Sequence, residues 1–264
     1  MRNKRRNKDH RSRRGFYLLP SMFTTASLLG GFYAIVSAIN GDFYHSAVAI
    51  IVSAVCDALD GRVARLTQTT SKFGMEYDSL CDLVAFGVAP ALVAYLWALK
   101  PYGRYGWLAA FLYVATTALR LARFNITPPR ADMAFTGIPC PAAACTIATA
   151  VLFSRFLGAI GTVRHISILL LVYLLSYLMV STFRYVSFKH PETTERRPFH
   201  TLVSMVLLIM VIATEPEVTL FLLALVYTFS GPADGLWRAI TTDPREEEVK
   251  KQGHLTEIGE DHAR

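Results

Sequence analysis

Apolar runs of about twenty residues follow one another along this chain, joined by short polar connections, and this spacing constrains the fold more than any other feature. A bilayer core about 30 Å thick takes about 20 helical residues to cross. Backbone polar groups find no water there, so a spanning segment must satisfy them internally as a helix. By that ruler six spans are expected, at 16–39, 44–65, 76–99, 106–124, 138–157 and 165–188. Two weaker segments, near 199–214 and 218–229, meet at Thr214, Glu215, Pro216 and Glu217. They read as two tilted spans or as a hairpin that crosses only in part. The expected fold is all-α: a polytopic transmembrane helical bundle with six core spans plus a C-terminal helical hairpin, eight in all.

Charge sets the orientation of such a bundle. The net charge of +7 over 264 residues is supplied entirely by the first fourteen, where eight basic residues face Asp9 alone. A pI near 9.3 invites a nucleic-acid reading. The confinement of the excess to a block ahead of an apolar run excludes it and marks a cytoplasmic N-terminus instead. The run that follows is longer than the ~7–15 apolar residues of a signal peptide, so it is expected to remain as a span. Three units follow: a basic cytoplasmic segment at 1–15, a transmembrane domain at 16–230 and a charged cytoplasmic tail at 231–264. Alternating from the N-terminus puts loops 66–75, 125–137 and 189–198 inside. Cys56, Cys81, Cys140 and Cys145 lie in or beside apolar stretches without a C-x-x-C pair, which argues against both a disulfide framework and a zinc site.

Asp57, Asp60, Asp78 and Asp82 fall within or at the ends of otherwise apolar spans, where an ionised carboxylate is costly unless paired. Residues three or four apart share a helix face, so Asp57 and Asp60 project together, as do Asp78 and Asp82. The same ridges carry Gly61, Ala64 and Arg65 on the first helix and Gly74 on the second. The short connection between them makes the helices antiparallel neighbours, so their acidic faces can meet at the cytoplasmic boundary. Arg65 alone cannot balance four acids, which makes a purely structural ion-pair network a poor account. Oxygen-only ligation suits Mg²⁺, Mn²⁺ or Ca²⁺, in one or two ions, and points to a phosphorylated substrate. An ion transporter also buries acids, but usually near the midplane.

Written out, residues 57–82 read D-x-x-D-G-x-x-A-R-x8-G-x3-D-x3-D. Eight fixed residues at fixed spacing arise by chance in a chain of this length roughly once in 10⁸. This pattern resembles the signature of the CDP-alcohol phosphatidyltransferases. Further segments, RLARFN at 120–125, FTGIPCPAAA at 135–144, STFRYVSFK at 181–189 and YTFSGP at 227–232, are similar to the serine-accepting, integral-membrane branch of that family. The opening LPSMFTTASLLGGFYAI also resembles that branch, with Ser21 where the family often has Asn.

The resemblance implies transfer of the phosphatidyl group from CDP-diacylglycerol to L-serine, giving phosphatidylserine and CMP, with a divalent metal, Mg²⁺ or Mn²⁺. It implies Asp57, Asp60 and Asp78 as metal ligands and Asp82 as general base that also touches a metal. It implies Gly61, Ala64, Arg65 and Gly74 as contacts of the CDP-lipid. Arg120 and Arg123, three apart near the end of the fourth span, are candidates for the serine carboxylate, with Asn125 beside them and Arg130 a weaker candidate. A homodimer in the bacterial cytoplasmic (inner) membrane is implied, with the active site facing the cytoplasm. An acceptor other than serine, such as glycerol phosphate, inositol phosphate or choline, or an archaeal ether-lipid reaction, is the alternative within the family.

Overall fold

The computed structural model describes residues 3–67, 72–126, 137–158, 161–183, 185, 203, 206, 207, 210 and 214–241. All regular structure among them is helical. Helix α1 spans Asn3–Ile39, so the basic N-terminal segment is continuous with the first span. Helix α2 spans Phe43–Thr67. The next stretch, Lys72–Tyr102, is one long rod made of α3 (Lys72–Asp82), a π-helical segment (Leu83–Val88), α4 (Ala89–Ala94), a second π-helical segment (Tyr95–Leu99) and a 3₁₀ turn. Helices α5 (Arg104–Ile126), α6 (Cys140–Phe156), α7 (Ile166–Val180) and α8 (Pro216–Thr241) follow.

Among the described residues, three stretches are both long and apolar enough to cross a bilayer by themselves: Ser21–Ile39, Lys72–Tyr102 and Pro216–Gly235. Helices α2 and α5, of 25 and 23 residues, have the length to cross as well. Large apolar side chains cover the outside of α1, with Met22, Leu29 and Ile39 each 67% exposed. In water such a surface is a liability; in lipid it is the ordinary outer face of a span. The chain is an all-helical membrane bundle.

Small residues let the helices close on one another. A Cβ on Gly30 would stand 2.4 Å from Ser53 Oγ, and one on Gly31 would stand 2.6 Å from Ala85 Cα. Glycine at these two positions seats α1 directly against α2 and the long third rod. Two buried apolar clusters then fill the bundle. One joins α1, α2, the third rod and α6 around Ile50, Phe86 and Trp97. The other joins the third rod, α5, α6 and α7 around Tyr113, Ile147 and Leu175. The four cysteines are free, as their spacing predicts.

Helix α2 begins at a capped turn. The His45 backbone N–H donates to Asp42 Oδ1 at 3.1 Å, and the His45 ring contacts Asp42 Oδ2 at 2.6 Å. This satisfies one of the orphan donors of the first turn. The hydrogen bond from the His45 backbone holds the Asp42 carboxyl below the ordinary aspartate range.

Two elements depart from the sequence expectation. The sixth span is expected to run to residue 188, but α7 stops at Val180, and Ser181 is extended. Its last carbonyls are taken from outside the helix: Leu178 O accepts from the Ile138 N–H at 3.1 Å and Met179 O from Arg120 Nη1 at 3.3 Å. With those acceptors satisfied, the chain is free to leave the helix and pair Phe183 O with the Gly137 N–H at 2.8 Å.

The final segment, expected at 218–229, is a 26-residue helix that continues through Gly231, Pro232 and Gly235. Proline at 232 lacks the N–H that would bond the Thr228 carbonyl one turn earlier. The Tyr185 hydroxyl supplies that bond, donating to Thr228 O at 3.0 Å. Gly231 and Gly235 lie flat on the rings of Tyr185 and Phe183, where a Cβ would stand 2.4 Å and 2.7 Å from ring atoms. Most of the expected 199–214 segment lies outside the described residues.

Candidate functional site

The polar side chains gather at one end of the bundle. Asp57 and Asp60 lie in the last turns of α2, while Asp78 and Asp82 lie in the second half of α3. One carboxylate oxygen from each of Asp57, Asp60 and Asp78 comes within 4.8 Å of the other two. Asp82, one turn beyond Asp78, sits beside this trio with its carboxyl in hydrogen-bond contact with Asp57. The two acidic faces inferred from three- and four-residue spacing do meet.

Asp60 is the most enclosed of the four, only 5% exposed. Thr24 Oγ1 donates to its Oδ2 at 2.8 Å, and the Gly61 backbone also bonds its carboxyl. Asp78 Oδ1, in contrast, is buried and has no hydrogen-bond partner among the described residues. A buried acceptor left open beside two other carboxylates is what a hard divalent cation requires: several oxygen donors converging with a lone pair to spare. No cysteine or histidine belongs to the trio, so the donor set suits Mg²⁺, Mn²⁺ or Ca²⁺ and not zinc.

Beside the acids there is room. Among the described residues, nothing beyond Gly61's own helix backbone and chain neighbours lies within 4 Å of where a Gly61 Cβ would be, so one side of the cluster opens at that glycine. Gly74 is half-buried one turn before Asp78. Ala64 and Arg65 continue α2 past Gly61, and their side chains lie outside the described residues.

The acceptor candidates separate. Arg120 is 6% exposed and is held on several sides: by Met179 O, by the Cys140 thiol and by the Phe124 ring, whose centroid lies 4.9 Å from its guanidinium carbon. Gly137, at φ +77°, passes so near that a Cβ would stand 2.9 Å from Arg120 Nη1. Arg123 instead is exposed, although the two arginines are three residues apart. Asn125 bridges α5 to α3, its Nδ2 donating to Glu76 Oε2 and its Oδ1 accepting from Ser79 Oγ, each at 3.1 Å. Arg130 lies outside the described residues.

Sequence reasoning missed five participants. Thr24 reaches the acid cluster from α1. Thr25 Oγ1 and Tyr77 OH, 3.0 Å apart, join α1 to α3 one residue along from Thr24. Gly137 and Met179 frame Arg120. The signal for Thr24 is in the sequence: Ser21, Thr24 and Ser27 recur every third residue within an apolar span, which places one polar stripe on one helix face. Gly137 and Met179 carry no such signal, because their role follows from where α7 ends.

Fold and site together define a class, a helical membrane protein with an acidic, cation-type centre at one end of its bundle. The family model for the CDP-alcohol phosphatidyltransferases matches residues 17–164, which contain the whole acidic motif. The chain is 44% identical over 174 residues to the CDP-diacylglycerol–serine O-phosphatidyltransferase of Helicobacter pylori, covering 66% of this chain and 73% of that one. It is 35% identical over 172 residues to the enzyme of the same name from Bacillus subtilis, covering 65% and 91%. It is 32% identical over 172 residues to the archaetidylserine synthase of Methanothermobacter thermautotrophicus, covering 64% and 70%. This chain belongs to the CDP-alcohol phosphatidyltransferase family.

Proposed function

We propose that the chain transfers the phosphatidyl group of CDP-diacylglycerol to the hydroxyl of L-serine, forming phosphatidylserine and releasing CMP. The observation that carries the chemistry is the trio of convergent carboxylates at the end of a membrane bundle, with Asp78 Oδ1 buried and open. Serine as acceptor rests on the names of the relatives at 44% and 35% identity.

Asp57, Asp60 and Asp78 would hold a divalent cation, Mg²⁺ or Mn²⁺, and Asp82 lies beside that trio. When bound, such an ion polarises the diphosphate and offsets the charge that develops on departing CMP. Asp82 accepts the proton of the serine hydroxyl as that oxygen attacks the phosphorus bearing diacylglycerol. The open space at Gly61 and the bare backbone at Gly74 admit the diphosphate close to the helices, and Arg65 pairs with it through charge-assisted hydrogen bonds. Ala64, four residues after Asp60, is a further contact of the CDP-lipid in this reading. On the acceptor side Arg120 is a positive charge fixed in place, Arg123 is the exposed cation that meets the serine carboxylate, and Asn125 holds α5 against α3.

The basic segment at 1–15 faces the cytoplasm of a bacterial inner membrane in this reading, the catalytic domain runs from 16 through the span that ends at Gly235, and the residues beyond it form a cytoplasmic extension. Eight spans return both termini to that side, and two copies associate as a homodimer.

The decisive assay uses purified full-length protein with CDP-diacylglycerol, Mg²⁺ or Mn²⁺ and a panel of serine, glycerol phosphate, inositol phosphate and choline. CMP release and a new lipid with serine are expected. Turnover with glycerol phosphate and not with serine overturns the acceptor assignment, and no CMP release with any alcohol overturns the reaction.

A further inference from the structure

We infer that Thr24 is a positioning residue of the cation centre, acting through Asp60. The inference rests on the metal reading given above and adds to it a third helix. Asp57 and Asp60 share α2, and Asp78 comes from α3, so the centre as the sequence presents it is built by two neighbours. The Thr24 hydroxyl enters from α1, 36 residues earlier in the chain, and donates to Asp60 Oδ2 at 2.8 Å. Both partners are enclosed, Thr24 at 6% and Asp60 at 5% exposure, so water competes little for the bond.

A carboxylate on a helix can rotate about two side-chain torsions. A hydrogen bond to one oxygen restricts that rotation and leaves the second oxygen with a defined direction. The Gly61 backbone also bonds this carboxyl, but it belongs to the same helix and moves with it. Thr24 fixes Asp60 relative to a different element. Its depth follows from the glycine seam of α1, since Gly30 and Gly31, one and a half to two turns further on, seat that helix directly against Ser53 and Ala85. Groups that orient metal ligands in this way typically contribute about 10–100-fold to metal affinity.

The test measures Mn²⁺ binding to the purified full chain by electron paramagnetic resonance, without lipid or serine. Thr24→Val and Thr24→Ala remove the hydroxyl, and Thr24→Ser retains it. Mn²⁺ affinity should fall about tenfold or more in the first two and stay within about threefold of wild type in the third. In the coupled assay the Mn²⁺ concentration for half-maximal rate should rise in parallel while KM for serine stays unchanged. Wild-type affinity in a folded Val or Ala variant overturns the role of Thr24 and leaves the metal centre standing. A loss in Thr24→Ser as large as in Thr24→Val also overturns it, since shape and not the hydroxyl would then matter. A wild-type chain that binds no Mn²⁺ overturns both readings.

Discussion

Asp82 and Asp78 are one turn apart on α3 in different surroundings, and the proposed mechanism gives them different work. Asp78 presents a buried, unpartnered oxygen to the trio, whereas Asp82 sits outside the trio against Asp57. Asp78→Asn should therefore abolish Mn²⁺ binding, read by the same resonance measurement. Asp82→Asn should lower kcat by about 10²–10⁴-fold while CDP-diacylglycerol still binds. Near-normal turnover in Asp82→Asn would remove it as the base. The two arginines separate by kinetics. Arg123→Ala, at an exposed position, should raise KM for serine with kcat little changed, the signature of lost substrate binding. Arg120→Ala should lower stability as well, because it strips a donor from the Met179 carbonyl at the end of α7.

At the level of elements, the bundle depends on a few contacts that hold helix ends. The Tyr185 hydroxyl replaces the N–H that Pro232 lacks, so Tyr185→Phe should leave the Thr228 carbonyl unpaired at a cost of about 1–3 kcal/mol. Thermal unfolding in detergent checks this, and Pro232→Ala in the same background should recover much of the loss by restoring the N–H. Gly31→Ala should destabilise by about 1–3 kcal/mol, since its Cβ has no room against Ala85. At the opposite end, Asp42 caps α2. Its carboxyl is held below the ordinary value of 3.8 by the His45 backbone hydrogen bond. The sign follows: this contribution is complete above pH 3.8 and is lost as pH falls through the lowered value. The side chain is half-exposed, so Asp42→Ala should cost no more than about 1 kcal/mol at neutral pH. The gap between variant and wild type should narrow in acid.

For the whole molecule, the arrangement explains why a lipid and a water-soluble amino acid can meet. The acid cluster lies where α2, α3 and the start of the α1 span come together at one end of the bundle, and α5 joins the same end through Asn125. The other end is closed by different contacts, including the Val163 N–H to Trp97 O at 2.9 Å. Acyl chains can remain beside the apolar outer faces while the nucleotide stays in water. Removal of divalent metal with a chelator should abolish CMP release, and re-addition of Mg²⁺ or Mn²⁺ should restore it. A fluorescent protein fused after residue 264 should fold and fluoresce in the cytoplasm, whereas a fusion in the 157–165 connection should report the opposite side. The reverse pattern would invert the orientation read from the N-terminal charges.

The helical class, the antiparallel pair and the acidic faces were legible in the sequence because each follows from local periodicity: twenty-residue apolar runs, and aspartates three and four residues apart on helices joined by a short loop. Spacing put Asp57 with Asp60 on one face of α2 and Asp78 with Asp82 on one face of α3, and the short loop made those faces neighbours. Contacts between distant helices were decided by packing. Arg120 and Arg123 share a face by spacing, yet Arg120 is enclosed because the Met179 carbonyl in the last turn of α7 accepts from its Nη1 and Gly137 passes beside it. The end of α7 and the long α8 were likewise hidden, since Pro232 reads as a break until Tyr185 supplies its missing bond. Thr24 looked like one hydroxyl among several on α1, and only the close seat of that helix at Gly30 and Gly31 carries it to Asp60. Residues on one helix have their relative positions set by the backbone; residues on different helices have theirs set by which side chains leave room for approach.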